Sequence, residues 1–246
     1  MIRQFFFALQ FLTRLPVPAN LPLLSETEQG RSLLFYPLVG LLIGLLLILT
    51  GVLVGSDESL LCAALVLTVW VAITGGLHID GLADMTDAWI GGQGDRERTL
   101  EIMKDPRCGP SAVVAVVLLL IVKLAALNSL IMQDAWGVIL LAPLIGRSNL
   151  IASFLYLPYV RPHGLGAMLA AHLPRLEAGR VLLAALLFCL LIQGWVAVWM
   201  LLFCGLLFVI YRSMLLSRIG GFTGDSAGTI CELGETMALV AAALLL

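Results

Sequence analysis

The chain has 246 residues, of which 61% are hydrophobic and only 12% charged, and its mean hydropathy is +1.05. These values exclude a soluble globular domain; the formal net charge of −2 is uninformative until the charges are placed along the chain, and no nucleic-acid partner is expected. The apolar runs have helical length and lack the alternation of barrel strands, so the expected fold is all-α: one helical domain over residues 1–246, embedded in a lipid bilayer.

The first stretch, IRQFFFALQFLTRLPVP, is bounded by Arg3 and Arg14 and stopped by Pro16 and Pro18. Its apolar run is too short to span, and it has no small-residue cleavage site, so the expectation is an N-terminal interfacial helix. About seven spans are expected next, at 33–54, 60–76, 111–130, 136–157, 181–193, 195–211 and 229–246. One straight helix over 181–211 would be about 46 Å long, well beyond a core of roughly 30 Å, so a tight turn is expected at Gly194. With this count every Lys and Arg outside the spans falls on one side, and the other side holds only Asp57, Glu58 and Asp134. The positive-inside rule then places the N-terminus in the cytoplasm and all long polar loops at the cytoplasmic face. Five cysteines are scattered without metal-type spacing and read as small packing residues.

Three polar islands interrupt the apolar sequence. In GGLHIDGLADMTDAWIGG, residues 75–92, a helix over about 79–90 would put Asp80, Asp84 and Asp87 at i, i+4 and i+7, within about 60° on one face. Three carboxylates so close repel one another, and a hard divalent cation with oxygen ligands is the ordinary compensation; the alternative is a solvated acidic helix face. His78 joins that face as a base only if the helix starts after it, and is otherwise a structural histidine.

The second island, LEIMKDPRCGP at 100–110, offers Lys104 and Arg107 beside Asp105, a set suited to phosphate held with its metal. In the third, RIGGFTGDSAGTICELGE at 218–235, Gly220, Gly221 and Gly224 provide free backbone amides suited to phosphate. Asp225 reads either as a ligand or as a helix cap. Glu232 lies on the same face and Glu235 one turn further. Lys123 and Arg147 fall inside predicted spans, where cations face the bundle interior and a partner. Arg147 is the functional candidate of the two, and Lys123 is expected to pair with an acid. His163 and His172 share a loop without metal-type spacing. Clustered carboxylates, glycine-rich turns and cations at one mouth of a bundle suit metal-assisted phosphoryl transfer.

The first island closely resembles the GG-H-DG-AD-D motif of the cobalamin synthases, the adenosylcobinamide-GDP ribazoletransferases of bacterial vitamin B12 assembly. The likeness runs the length of the chain, through FLTRLPVP, FYPLVG, LEIMKDPRCG, GRSN, the Y-R-GLG block at 159–166 and GGFTGDSAGTICELGE. It implies a multi-pass enzyme of the bacterial inner membrane that uses Mg2+. Its substrates would be adenosylcobinamide-GDP and α-ribazole or its 5'-phosphate, with GMP released. It further implies Asp80, Asp84, Asp105, Asp225 and Glu232 as metal ligands. His78 or Asp87 is the candidate base and Arg147 a catalytic candidate, with Arg14, Lys104, Arg107 and the three glycines toward substrate. Ala88 replaces the family's usual glycine, and Cys108-Gly-Pro replaces a small or polar run. A homo-oligomer is compatible with this reading.

Two rivals are weighed against it. CDP-alcohol phosphotransferases share a DG-A aspartate motif, but carry Arg where Asp84 stands. A cation transporter predicts charges at mid-membrane and inverted repeats, whereas here the acids gather at one face.

Overall fold

The computed structural model describes residues 1–18, 23–55, 57–162 and 164–246; His163 lies outside the described residues. Among the described residues there is no β-strand, only one isolated bridge between Tyr159 and Phe222. The helices are α1 (Ile2–Leu12), α2 (Glu26–Ser32), α3 (Tyr36–Val54), α4 (Ser59–Thr74), α5 (Leu77–Gly91), α6 (Arg96–Ile102), α7 (Pro110–Met132), α8 (Trp136–Tyr156), α9 (Leu165–Ala171), α10 (Arg175–Ile219) and α11 (Gly224–Ala243). Four helical stretches are long and apolar enough to cross a membrane: α7, α8, α10 and the run Glu26–Val54 that ends in α3. The pair α4–α5, bent by 86°, makes a fifth candidate.

The expected spans at 181–193 and 195–211 are the two limbs of α10. Gly194 has φ 49 and ψ −120, a left-handed conformation that L side chains avoid. The chain reverses there. Arg175, at the start of the first limb, donates to the carbonyl of Leu155, and Arg212, in the second limb, donates to that of Tyr156 at 3.2 Å. Both ends of α10 therefore lie beside the C-terminus of α8, while Gln193, next to the reversal, packs on Gly137 at the N-terminus of α8. Each limb runs several residues beyond its expected apolar window because Arg175, Glu177, Arg180, Arg212 and Arg218 are helical yet charged. In place of the expected last span stands α11, which begins earlier, at Gly224, because the acids also belong to the helix, and which is not among the stretches long and apolar enough to cross a membrane.

α8 and α11 form the centre of the bundle and are buried on most sides, whereas both limbs of α10 expose large apolar side chains such as Leu191, Trp195 and Val209. An apolar helix left bare in this way is stable only against lipid or another apolar surface. α3 reaches α8 through Gly40 and Gly44, a GxxxG pair. A Cβ on Gly40 would stand 2.4 Å from the Pro143 carbonyl oxygen, and one on Gly44 2.3 Å from that of Leu140. Small residues are what let helices approach so closely where lipid removes the usual hydrophobic drive.

α1 is short, as expected, and with α2 and α9 caps the end of the bundle where α5 and α11 begin. Its Ala8, Leu9 and Leu12 are buried. α2 begins with a reciprocal Ser25–Glu28 capping box, and Gly30 in α2 packs against His172 after α9.

Charges inside the bundle are paired. Lys123 Nζ lies 2.7 Å from Glu232 and 2.6 Å from Glu235, all three buried, and over the Trp70 ring at 4.1 Å. Arg147, fully buried, pairs with the other oxygen of Glu235. Two acids and two bases balance, and they tie α11 to α7 and α8. Breaking a buried pair strands a charge and costs about 3–5 kcal/mol, so Arg147→Gln or Glu235→Gln should sharply lower the unfolding midpoint in detergent. Replacement of Gly44 by Ile should likewise reduce the folded yield. Gly205→Leu, at a site with nothing within 4 Å of the added Cβ, should leave that yield near normal by size-exclusion chromatography.

Candidate active site

α4 ends at Gly75 and Gly76, both left-handed, and the 86° bend turns α5 across the end of the bundle. α5 starts at Leu77, before His78, and carries Asp80 in its first turns. α11 starts on the Thr223 cap, in a reciprocal box with Ser226. Thr223 does the capping, so Asp225 is free to turn its carboxylate outward. The two helices touch backbone to backbone: a Cβ on Gly81 would meet the Asp225 carbonyl oxygen at 2.7 Å, and one on Gly228 the His78 Cα at 3.2 Å. Thr229 locks the contact by donating to the Gly81 carbonyl at 3.1 Å.

This crossing brings Asp80, Asp84 and Asp225 into one electrostatic neighbourhood. Asp80, Asp225 and Asp87 all act on Asp84 as like charges, and Arg161 alone offsets them there. Arg161 Nη2 donates to Asp225 at 2.6 Å and to the Met103 carbonyl at 3.4 Å, while its Nε has no partner among the described residues. Among the described residues no three His, Cys, Asp or Glu side chains converge on a single point. One or two carboxylates completed by water and substrate phosphate are nevertheless the usual environment of Mg2+, and the hard oxygen donors here fit that ion.

The other candidates divide. Asp87 does not join the cluster: its carboxylate accepts from the amides of Gly109 at 2.5 Å and Ala112 at 3.0 Å. It thereby caps the N-terminus of α7 from a neighbouring helix, where the dipole favours an anion. Asp105 and Arg107 pair with each other at 2.5 Å on the surface, and the guanidinium holds the Asp105 carboxyl down at about 2. Together with Asp87 they line a shallow depression apart from the cluster, and Lys104 is exposed beside it. Glu232 and Arg147 lie in the buried network already described, with Glu232 roughly 10 Å along α11 from Asp225 at 1.5 Å per residue. Arg14 lies against Gly75 at the α4–α5 bend, its backbone amide bonded to the Ile73 carbonyl at 2.6 Å.

Of the three glycines, Gly220 is the left-handed C-cap of α10. Gly221 is pressed against the Pro158 carbonyl, 2.1 Å from where its Cβ would be. Gly224 alone opens onto the site, at the first turn of α11. His78 is buried at 4% exposure on the inner wall, with Nδ1 3.6 Å from Cys231 Sγ.

Behind the carboxylates lies a cavity of about 280 Å³. Asp80, Asp225 and His78 are part of its polar lining, and Phe11, Tyr36, Phe154 and Phe222 part of its aromatic lining. Sequence reasoning placed Arg161 among the topology-setting cations and passed over the aromatic wall. The arginine of the Y-R-GLG block was the available signal; the aromatics come from four separate elements and gave none.

Asp87→Asn should weaken the α7 cap by about 1–2 kcal/mol, lowering the thermal midpoint without altering metal affinity measured by titration calorimetry. Asp84→Asn should do the reverse.

No solved structure matches this chain significantly. It is 54% identical over 241 residues to the adenosylcobinamide-GDP ribazoletransferase of Pseudomonas fluorescens, covering 98% of each chain. It is 53% identical over 242 residues to that of Pseudomonas syringae pv. syringae, covering 98% of this chain and 99% of the other. The family model described as CobS, cobalamin-5-phosphate synthase, matches residues 4–243. With both its full-length relatives and the family model in agreement, the chain belongs to the cobalamin-5-phosphate synthase family.

Proposed function

We propose that this protein is an adenosylcobinamide-GDP ribazoletransferase. A hydroxyl of α-ribazole, or of its 5'-phosphate, attacks the phosphorus linked to cobinamide, a P–O bond to the acceptor forms, and the bond to GMP breaks. The observation that carries the reading is the juxtaposition of Asp80 and Asp84 on α5 with Asp225 and the first turn of α11, beside a cavity. Relatives more than half identical in sequence carry this enzyme name.

One or two of the carboxylates of Asp80, Asp84 and Asp225, together with water and the substrate phosphates, would hold Mg2+, which would supply charge neutralisation at the transferring phosphorus. Arg161 balances Asp225 in the free protein and offers its guanidinium to the phosphate oxygens of the donor. The unpaired amides in the first turn of α11, at Gly224 and Asp225, face the same space with the positive end of the helix dipole. With α5 starting before His78 and the buried ring set against Cys231, the histidine takes the structural role rather than that of the base. The basic end of the bundle, by the positive-inside rule, is the cytoplasmic face of the inner membrane.

The test is GMP release by purified protein in liposomes given adenosylcobinamide-GDP and α-ribazole phosphate. Release should require Mg2+ and stop with excess EDTA, and Asp84→Asn should lower it by at least a hundredfold while insertion stays normal. Arg161→Gln should lower turnover by about 10²–10³, as loss of one transition-state donor does, with Arg161→Lys recovering only part. CMP release from a CDP-alcohol, with no GMP from the corrinoid substrate, would overturn the assignment.

A further inference from the structure

The cavity behind the carboxylates is small and lined in large part by rings. Phe154 and Phe222 meet edge to face at 4.9 Å, and Phe222 meets Tyr159 in the same way at 5.2 Å. Also in the lining, Tyr36 stacks on Phe11 with centroids 6.3 Å apart and planes 25° from parallel. Leu150, Leu165 and Leu169 complete the apolar surface. Tyr36 is 2% exposed and its hydroxyl has no hydrogen-bond partner among the described residues. A buried hydroxyl without a partner is costly, and on a cavity wall it is an unused donor.

Size excludes one substrate from this space. A volume of about 280 Å³ is at the lower end of small-molecule pockets and admits a heteroaromatic base with part of its sugar. A corrinoid ring is several times larger and has to stay outside, with only its diphosphate reaching Asp80 and Asp225. Chemistry separates the two bases that remain. A guanine edge needs several buried donors and acceptors, and a base bearing methyl groups needs apolar walls. The rings supply apolar walls and two hydroxyls, of Tyr36 and Tyr159, of which that of Tyr36 is the buried one without a partner.

On the functional reading above, we infer that this cavity is the acceptor subsite: it takes a planar, methyl-bearing base of the benzimidazole class, with the Tyr36 hydroxyl donating to its unsubstituted ring nitrogen. The ribose then points toward Asp80 and Asp225, which puts its hydroxyl at the reacting end and fixes the order of the two substrates along the site. The guanine of the donor is left outside with the corrinoid.

Binding and turnover together test this on the full-length protein in detergent. Calorimetry should show α-ribazole binding in the absence of the corrinoid donor, and GMP should not displace it. Removing both methyl groups from the base should weaken binding about fifteenfold, at a factor of about four for each buried methyl. Tyr36→Phe should fold normally, because the lost hydroxyl has no partner, and should raise the acceptor KM about fivefold with the donor KM unchanged. An indole analogue, lacking the ring nitrogen, should bind the wild type and Tyr36→Phe equally. Displacement of α-ribazole by GMP, or a Tyr36→Phe effect confined to the donor KM, would overturn the assignment of the cavity. If α-ribazole binds with these preferences but no GMP is released from the natural pair, the subsite stands and the transferase reading fails.

Discussion

The close crossing of α5 and α11 at Gly81 and Gly228 is the contact on which the rest depends. Carboxylates do not gather of their own accord; like charges in a partly dry site push one another apart. Here backbone packing overrides that repulsion. With no side chain at either glycine, the Gly81 Cα lies near Gly228 and the Asp225 carbonyl, and Thr229 adds a hydrogen bond across the contact. Asp80 and Asp84 are thereby held opposite Asp225 with only Arg161 as counter-charge, an arrangement that favours an additional cation.

The charges of the chain fall into two populations with different work. Lys123, Arg147, Glu232 and Glu235 are buried and close on themselves. In a low-dielectric interior such a set is tolerated only when balanced, and it ties α11 to α7 and α8. The second population, at the mouth, is unbalanced and partly exposed. Glu232 and Glu235 of the interior network and Asp225 at the mouth share α11, at different depths along it. His78 and Cys231 sit at the boundary between the two, with the histidine on the cavity wall and the cysteine within reach of Glu235.

The small helices at the basic end give the site its shape. α1 and α9 are too short to be membrane spans, yet they carry Phe11 and Leu165 over the cavity. The extended strand of chain after α8 pairs briefly with the segment before α11, through the amide of Val160 to the Phe222 carbonyl at 3.0 Å and that of Phe222 to the Pro158 carbonyl at 2.9 Å. This bridge places Arg161 beside Asp225 and Tyr159 beside Phe222. One short pairing therefore serves both the electrostatic and the aromatic side of the site.

The sequence by itself determined the helical membrane class, because apolar runs of helical length have no other stable form in lipid. It also determined the reversal at Gly194 and the motif carrying Asp80 and Asp84, both local properties of a few consecutive residues. Periodicity put Asp87 on the same helix face, and to that extent was right. Only the tertiary structure decided that Asp87 caps α7, since the amides it accepts from are brought by a separate helix. The same reason explains Glu232: spacing along α11 puts it on the face of Asp225, but which groups meet that face at each depth is set by α7 and α8. Arg161 and the aromatic wall were illegible for a complementary reason. Each is an ordinary residue in its own segment, and becomes part of a site only when α1, α3, α8 and α11 converge at one end of the bundle.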